Sequence, residues 1–178
     1  MTRILFISSS PNLGGQGYCL LMLVQQLKQR HEIGVVTPGN GTLVDALKSE
    51  GVKVYPAGHH RLKRKAIPWL WRLIRQEAYD VIYGNNFGTG PRNGLIGARL
   101  AFRRFIWHVR EMLRSDMSHK RLTTHMLRYA SLLIADSQAC AASVSQHVPG
   151  RTVHAVQNGV DLATYRIDVE EARKAVRQ

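Results

Sequence analysis

Cysteine, acidic side chains and long apolar runs are all scarce in this chain of 178 residues. Its two cysteines, Cys19 and Cys140, are too few for a disulfide framework. Both fall in stretches of helical periodicity. They read either as one distant bridge or, more readily, as two buried thiols in a reducing cytoplasm. The longest apolar run, residues 18–24, is far short of the ~18 residues that a membrane span needs. The apolar residues 4–7 are likewise too few for a signal-peptide core. The expectation is a soluble, cytoplasmic protein.

The shortage of acid leaves 25 Lys+Arg against 12 Asp+Glu, a formal net charge of +13. Such an excess attracts phosphate in some form, whether nucleic acid, anionic lipid headgroups or a phosphorylated metabolite, without choosing among them. A hydrophobic fraction of 44% argues against disorder. The length suits one domain that folds without disulfide or metal.

Short β-branched runs alternate with amphipathic stretches along the whole chain. Strands are expected over residues 3–9, 32–36, 52–55, 80–83, 104–109, 131–135 and 152–156. Helices are expected over 15–30, 42–50, about 67–76, 93–102, 119–129 and 137–147. Gly51 stops the second helix, Pro68 sits in the first turn of the third, and Asp136 or Ser137 caps the last. Near-continuous apolar strands alternating with helices predict an α/β fold, a doubly wound, mostly parallel sheet of about seven strands with both faces covered. Residues 1–157 form this Rossmann-like domain. Asn158, Gly159, Val160 and Asp161 then open a turn, and the charged stretch up to residue 178 reads as a frayed terminal helix or, more readily, as a linker and the truncated start of a second domain.

In open α/β sheets, ligands bind beyond the carboxyl ends of the strands, which directs attention to the loops there. The first loop holds Asn12, then Gly14, Gly15 and Gly17 before a helix. Backbone N–H groups at such a helix start can face a phosphate with no Cβ in the way. The alternative is a tight turn that simply needs glycine. Neither G-x-G-x-x-G nor a P-loop is present. Asn85, Asn86, Gly88 and Gly90 form a polar loop after the fourth strand. His108 ends the fifth, where an imidazole can meet a ligand oxygen or carry a proton, or be satisfied by backbone. Arg110 and Glu111 beside it are expected to pair as a surface bridge of little energetic value.

The histidines offer no i, i+4 ligand pair and no G-x-S-x-G elbow exists, so neither a metal site nor a serine hydrolase is expected. Residues 61–75 carry Lys63, Arg64, Lys65, Trp69 and Arg72. This composition fits a helix lying on anionic lipid, or one burying its tryptophans in the core. No RNA- or DNA-recognition motif accompanies the charge, so specific nucleic-acid binding is not expected.

Taken in order, RILFISS, Gly14-Gly15, DVIY, WHVRE, LLIADS and VQNGVDLATY resemble the amino-terminal half of the GT-B-fold, family 4 retaining glycosyltransferases. The resemblance reaches about Tyr165 and implies roles for matching residues. Gly14 and Gly15 would face the diphosphate of a nucleotide-sugar donor, and His108 would contact the transferred sugar as the catalytic residue. Asn12, Asn85, Asn86, Arg110 and Glu111 would line the acceptor or cleft side. Asn158, Gly159 and Asp161 would lead into a nucleotide-binding domain.

The implied reaction transfers a hexose to a lipid or polysaccharide acceptor in cell-envelope glycan synthesis. It needs no cofactor and no metal, and it takes place at the cytoplasmic membrane face. One departure stands out. The family's Glu-x7-Glu motif is absent, since no two glutamates here lie eight apart. The chain alone is therefore expected to be inactive. A non-catalytic basic module binding anionic lipid or nucleic acid, and a sugar-nucleotide epimerase of the same architecture, are the alternatives.

Overall fold

A computed structural model describes residues 1–58, 66–113 and 121–159. Seven strands form one parallel sheet: β1 (Arg3–Ser8), β2 (Glu32–Thr37), β3 (Lys53–Pro56), β4 (Val81–Asn85), β5 (Arg104–Val109), β6 (Leu132–Ala135) and β7 (Val153–Ala155). Their order is β3-β2-β1-β4-β5-β6-β7. The chain winds outward from β1 to β3, then restarts at β4 beside β1, so the order reverses between β1 and β4. This is the doubly wound α/β architecture expected, and the reversal opens a crevice at the carboxyl edge.

Among the described residues, six α-helices connect the strands: α1 (Gly15–Leu27), α2 (Thr42–Ser49), α3 (Ile67–Gln76), α4 (Thr89–Leu100), α5 (Arg121–Met126) and α6 (Gln138–Ser145). Right-handed crossovers place them on both faces. On one face α1 and α2 bury Leu20, Val24, Leu43 and Leu47 against Phe6, Val35 and Tyr83. On the other, α3 to α6 bury Leu70, Ile74, Leu95 and Val144 against Leu5, Ile82, Phe105, Trp107 and Leu133. Each fully buried Leu or Ile contributes about 1.5–3 kcal/mol, so both layers stabilise the sheet.

The cover is uneven. Among the described residues, α1 and α2 are the helices on their face. Ile106 and Ile134 there are only partly buried.

Helix ends explain most departures from the sequence reading. The fourth helix was expected from residue 93, yet it begins at Thr89 after an N-cap at Gly88. Pro91 lies in its first turn, where its missing N–H has no intrahelical partner to lose. Gly90 is therefore helical and buried rather than part of a polar loop. The helix expected to end at residue 129 closes as α5 followed by a 3-10 turn, Leu127–Tyr129. Ser137 is the cap of α6, its hydroxyl accepting from the Cys140 N–H at 3.1 Å. Residue 161, the stretch from 160 to 178, and Lys63, Arg64 and Lys65 lie outside the described residues.

Candidate functional site

The uneven helix cover leaves an open cleft of about 640 Å³ beside α1. Tyr18, Cys19 and Met22 of α1 form one wall; Tyr83, His108 and Ile134 lie on the sheet side; residues 156–159 form the far rim. Side chains alternate between faces along a strand. His108 therefore projects on the same face as Ile106, two residues earlier, and that face carries α1. Gly15, which opens α1, and His108 thus share one face and one edge of the sheet.

His108 is 5% exposed, and its Nδ1 lies 2.7 Å from the Tyr83 hydroxyl. Its Nε2 is buried at the cleft with no hydrogen-bond partner. Burial, with the nearby Arg110 charge, pushes the imidazole down to about 3, so it is neutral at physiological pH. Burial likewise pushes the Tyr83 phenol up to about 12. A buried nitrogen without a partner costs about 1–3 kcal/mol, a penalty that a ligand oxygen on the cleft floor would relieve.

The first loop distinguishes between its glycines. A Cβ on Gly14 or Gly15 would meet nothing within 4 Å, and neither has positive φ, so neither turn geometry nor packing requires glycine there. Gly17 is different: a Cβ there would lie 2.6 Å from the Asn12 carbonyl oxygen. The tight-turn explanation holds for Gly17, and open space on the Cβ side describes Gly14 and Gly15; the Gly14 N–H itself donates to the Asn12 carbonyl at 3.0 Å. No side chain caps α1 and no acid stands in its first turn, so its positive end is uncompensated.

A polar network ties this loop to the strand ends. The Asn86 amide donates to the Gln16 Oε1 at 2.7 Å, and the Asn86 backbone N–H donates to the His108 carbonyl at 2.9 Å. Trp107 Nε1 donates to the Asn86 carbonyl at 2.9 Å. Asn86 holds φ +84°, a left-handed conformation that Asn tolerates better than most residues, and its Oδ1 is buried without a partner. Arg110 donates from Nε to Asn85 Oδ1 at 2.9 Å and from Nη1 to Asn158 Oδ1 at 2.5 Å. The guanidinium thus joins the cleft floor to the rim at Asn158.

The structure brings Gly14, Gly15, Asn85, Asn86, His108, Arg110, Asn158 and Gly159 to one edge. Asn12 is exposed in the first loop, and the Glu111 carbonyl accepts from Cys140 Sγ at 3.3 Å. Cys19 and Cys140 are both free thiols. Trp69 packs partly against the core, while Arg72 is exposed and Trp71 stays 36% exposed. Of the α3 tryptophans, Trp69 packs in part on the core and Trp71 lies at the surface.

Sequence reasoning missed Tyr83 and Gln16. Tyr83 reads as one more apolar strand residue. Gln16 carries no signal beyond its place after two glycines.

The family model described as Glycosyltransferase Family 4 matches residues 13–164. No curated protein matches the sequence. Among solved structures, Anabaena Alr3699/HepE in complex with UDP-glucose is 24% identical, with a TM-score of 0.80 over 100% of this chain and 50% of that one. A glycosyltransferase from Rickettsia africae gives 12%, 0.78, 99% and 48%. The S. aureus MnaA–UDP structure gives 20%, 0.65, 96% and 48%. At these identities the likeness establishes a shared fold. The chain spans about half the length of each of these structures.

Proposed function

The chain belongs to glycosyltransferase family 4, and from that premise we propose that it is the acceptor-side half of a retaining, sugar-nucleotide-dependent glycosyltransferase. The observation that carries the reading is the cleft itself. An imidazole with an unpartnered nitrogen and a glycine-lined helix start share one edge of the sheet at its reversal point. That HepE is solved with UDP-glucose makes a nucleotide-diphosphate sugar the donor to test first.

In this mechanism the anomeric C–O bond breaks as the nucleoside diphosphate departs with growing negative charge. The Gly15 N–H and the positive end of α1 face that charge, while Gly14, whose N–H is held by the Asn12 carbonyl, keeps the approach free of a side chain. Preorganised donors of this kind lower a barrier by several kcal/mol. His108 donates to an oxygen of the transferred hexose and holds the sugar in place. The acceptor hydroxyl attacks on the face that the diphosphate leaves, and its proton passes to the leaving phosphate oxygen. A second domain binds the nucleotide and supplies most of the cations. A lipid or polysaccharide acceptor of the cell envelope suits the basic charge, with the exposed Trp71 and Arg72 of α3 on an anionic membrane surface.

The test is product analysis with UDP-glucose on this chain joined to a carboxy-terminal family 4 domain. Acceptor-dependent formation of a glycoside supports the reading. Conversion of UDP-glucose to an epimer without acceptor overturns it in favour of an epimerase, whose fold this chain also shares at a TM-score of 0.66.

A further inference from the structure

Tyr83 and His108 sit on adjacent strands and project from the same face, since β4 and β5 pair Tyr83 with Ile106 and Asn85 with His108. The phenol is fixed from the other side by the Phe6 ring, with ring centroids 4.7 Å apart. Tyr83 is 8% exposed, so this is an interior contact rather than a surface one. Among the described residues, the Tyr83 hydroxyl and His108 Nδ1 are each other's hydrogen-bond partner at 2.7 Å.

That bond admits two proton arrangements. If Nδ1–H donates to the phenol oxygen, the phenol proton needs a further acceptor and Nε2 is left as an unmet lone pair. Two buried polar groups then go without partners. If the phenol donates to Nδ1, both atoms are satisfied and only the Nε2–H remains unmet. Each unmet group keeps its full desolvation penalty, so the second arrangement, with one fewer unmet group, prevails.

We propose that Tyr83 is a positioning residue that locks His108 in the Nε2–H tautomer, so that the cleft presents a single imidazole donor and no imidazole base. The inference rests on the proposed function only for what it means there. The donor sugar must offer a lone pair at this point, and His108 Nε2 does not take the acceptor's proton. Tyr83 acts through His108.

Long-range ¹H–¹⁵N spectra of the ¹⁵N-histidine-labelled chain read the tautomer directly, with the His108 signals identified by their loss in His108→Gln. The expected pattern is a pyridine-type Nδ1 and a pyrrole-type Nε2 in the wild-type chain. In Tyr83→Phe, which removes one oxygen, the two signals are expected to move toward averaged values while the backbone amide spectrum stays folded. A pyrrole-type Nδ1, or an averaged pair, in the wild-type chain overturns the proposal whatever the variant does. An unchanged His108 pattern in a folded Tyr83→Phe chain also overturns it. Failure of UDP-glucose to shift the His108 signals in the chain joined to a carboxy-terminal family 4 domain would count against the proposed function and leave the tautomer assignment standing.

Discussion

A single imidazole shows how much a few ångströms of protein change a side chain. In the unfolded chain His108 takes up its proton near 6.5, whereas in the folded domain burial, then the Arg110 charge, pushes that to about 3. Its contribution to stability is therefore complete above 6.5 and is lost as pH falls, because the unfolded state binds a proton that the folded one refuses. The loss is at most about 1.4 kcal/mol per pH unit. Chemical denaturation between pH 6.5 and 4.5 should give a steeper loss for the wild type than for His108→Gln; equal slopes would refute the burial argument.

The first loop supplies a second residue-scale contrast. Gly17→Ala forces a Cβ to within 2.6 Å of a backbone oxygen and should destabilise by about 1–3 kcal/mol. Gly15→Ala adds a methyl to open space and should leave the midpoint of urea unfolding within about 0.5 kcal/mol of wild type. With a carboxy-terminal family 4 domain attached, the same Gly15→Ala should weaken UDP-glucose binding if a phosphate approaches that backbone.

Helix termination carries the clearest lesson at the scale of elements. Three helices end in the same paired hydrogen bonds. Gly51 N–H bonds to Lys48 and Val52 N–H to Leu47; Ala78 bonds to Arg75 and Tyr79 to Ile74; Phe102 bonds to Arg99 and Arg103 to Ala98. The first residue of each pair has positive φ, at 73°, 50° and 57° respectively. Glycine takes that conformation without penalty, whereas alanine and phenylalanine take it at a cost of about 1 kcal/mol. Phe102 is 90% exposed and Ala78 is exposed, so neither side chain repays that cost by packing. Ala78→Gly and Phe102→Gly should each stabilise the domain by about 0.5–1 kcal/mol, less whatever entropy glycine adds to the unfolded chain. Thermal unfolding decides it, and a fall in Tm for both would mean these ends are unstrained. The pattern also shows why Gly51 was legible as a stop in the sequence, while the ends at residues 78 and 102 had no glycine to mark them.

For the whole molecule, the decisive facts are asymmetric cover and charge. Among the described residues, two helices on one face against four on the other leave one side of β5 to β7 open toward α1, and the cleft is what remains. Half of the solved relatives' length lies outside this chain, and the Glu-x7-Glu motif is absent from it. The purified chain should accordingly transfer no sugar from UDP-glucose, and robust turnover by it would refute the division of labour proposed above. With a net charge of +13 it should also sediment with anionic vesicles at low salt and release as ionic strength rises. Neutralising Lys63, Arg64 and Lys65 together should weaken that adsorption; unchanged sedimentation would remove the membrane role of this segment. Among the described residues no helix is long and apolar enough to cross a membrane.

Hydrophobic periodicity determined the order and kind of the elements, because a buried parallel strand and an amphipathic helix each leave a pattern that burial imposes locally. It also placed His108 and the glycines at strand ends, since strand length alone locates those ends. Tertiary structure decided the rest. Only side-chain direction across neighbouring strands could put Tyr83 against His108, twenty-five residues apart. Only the close packing of one loop on another could separate Gly17, held by Asn12, from Gly14 and Gly15, which face open space. These are relations between residues distant in sequence, and no local pattern encodes them.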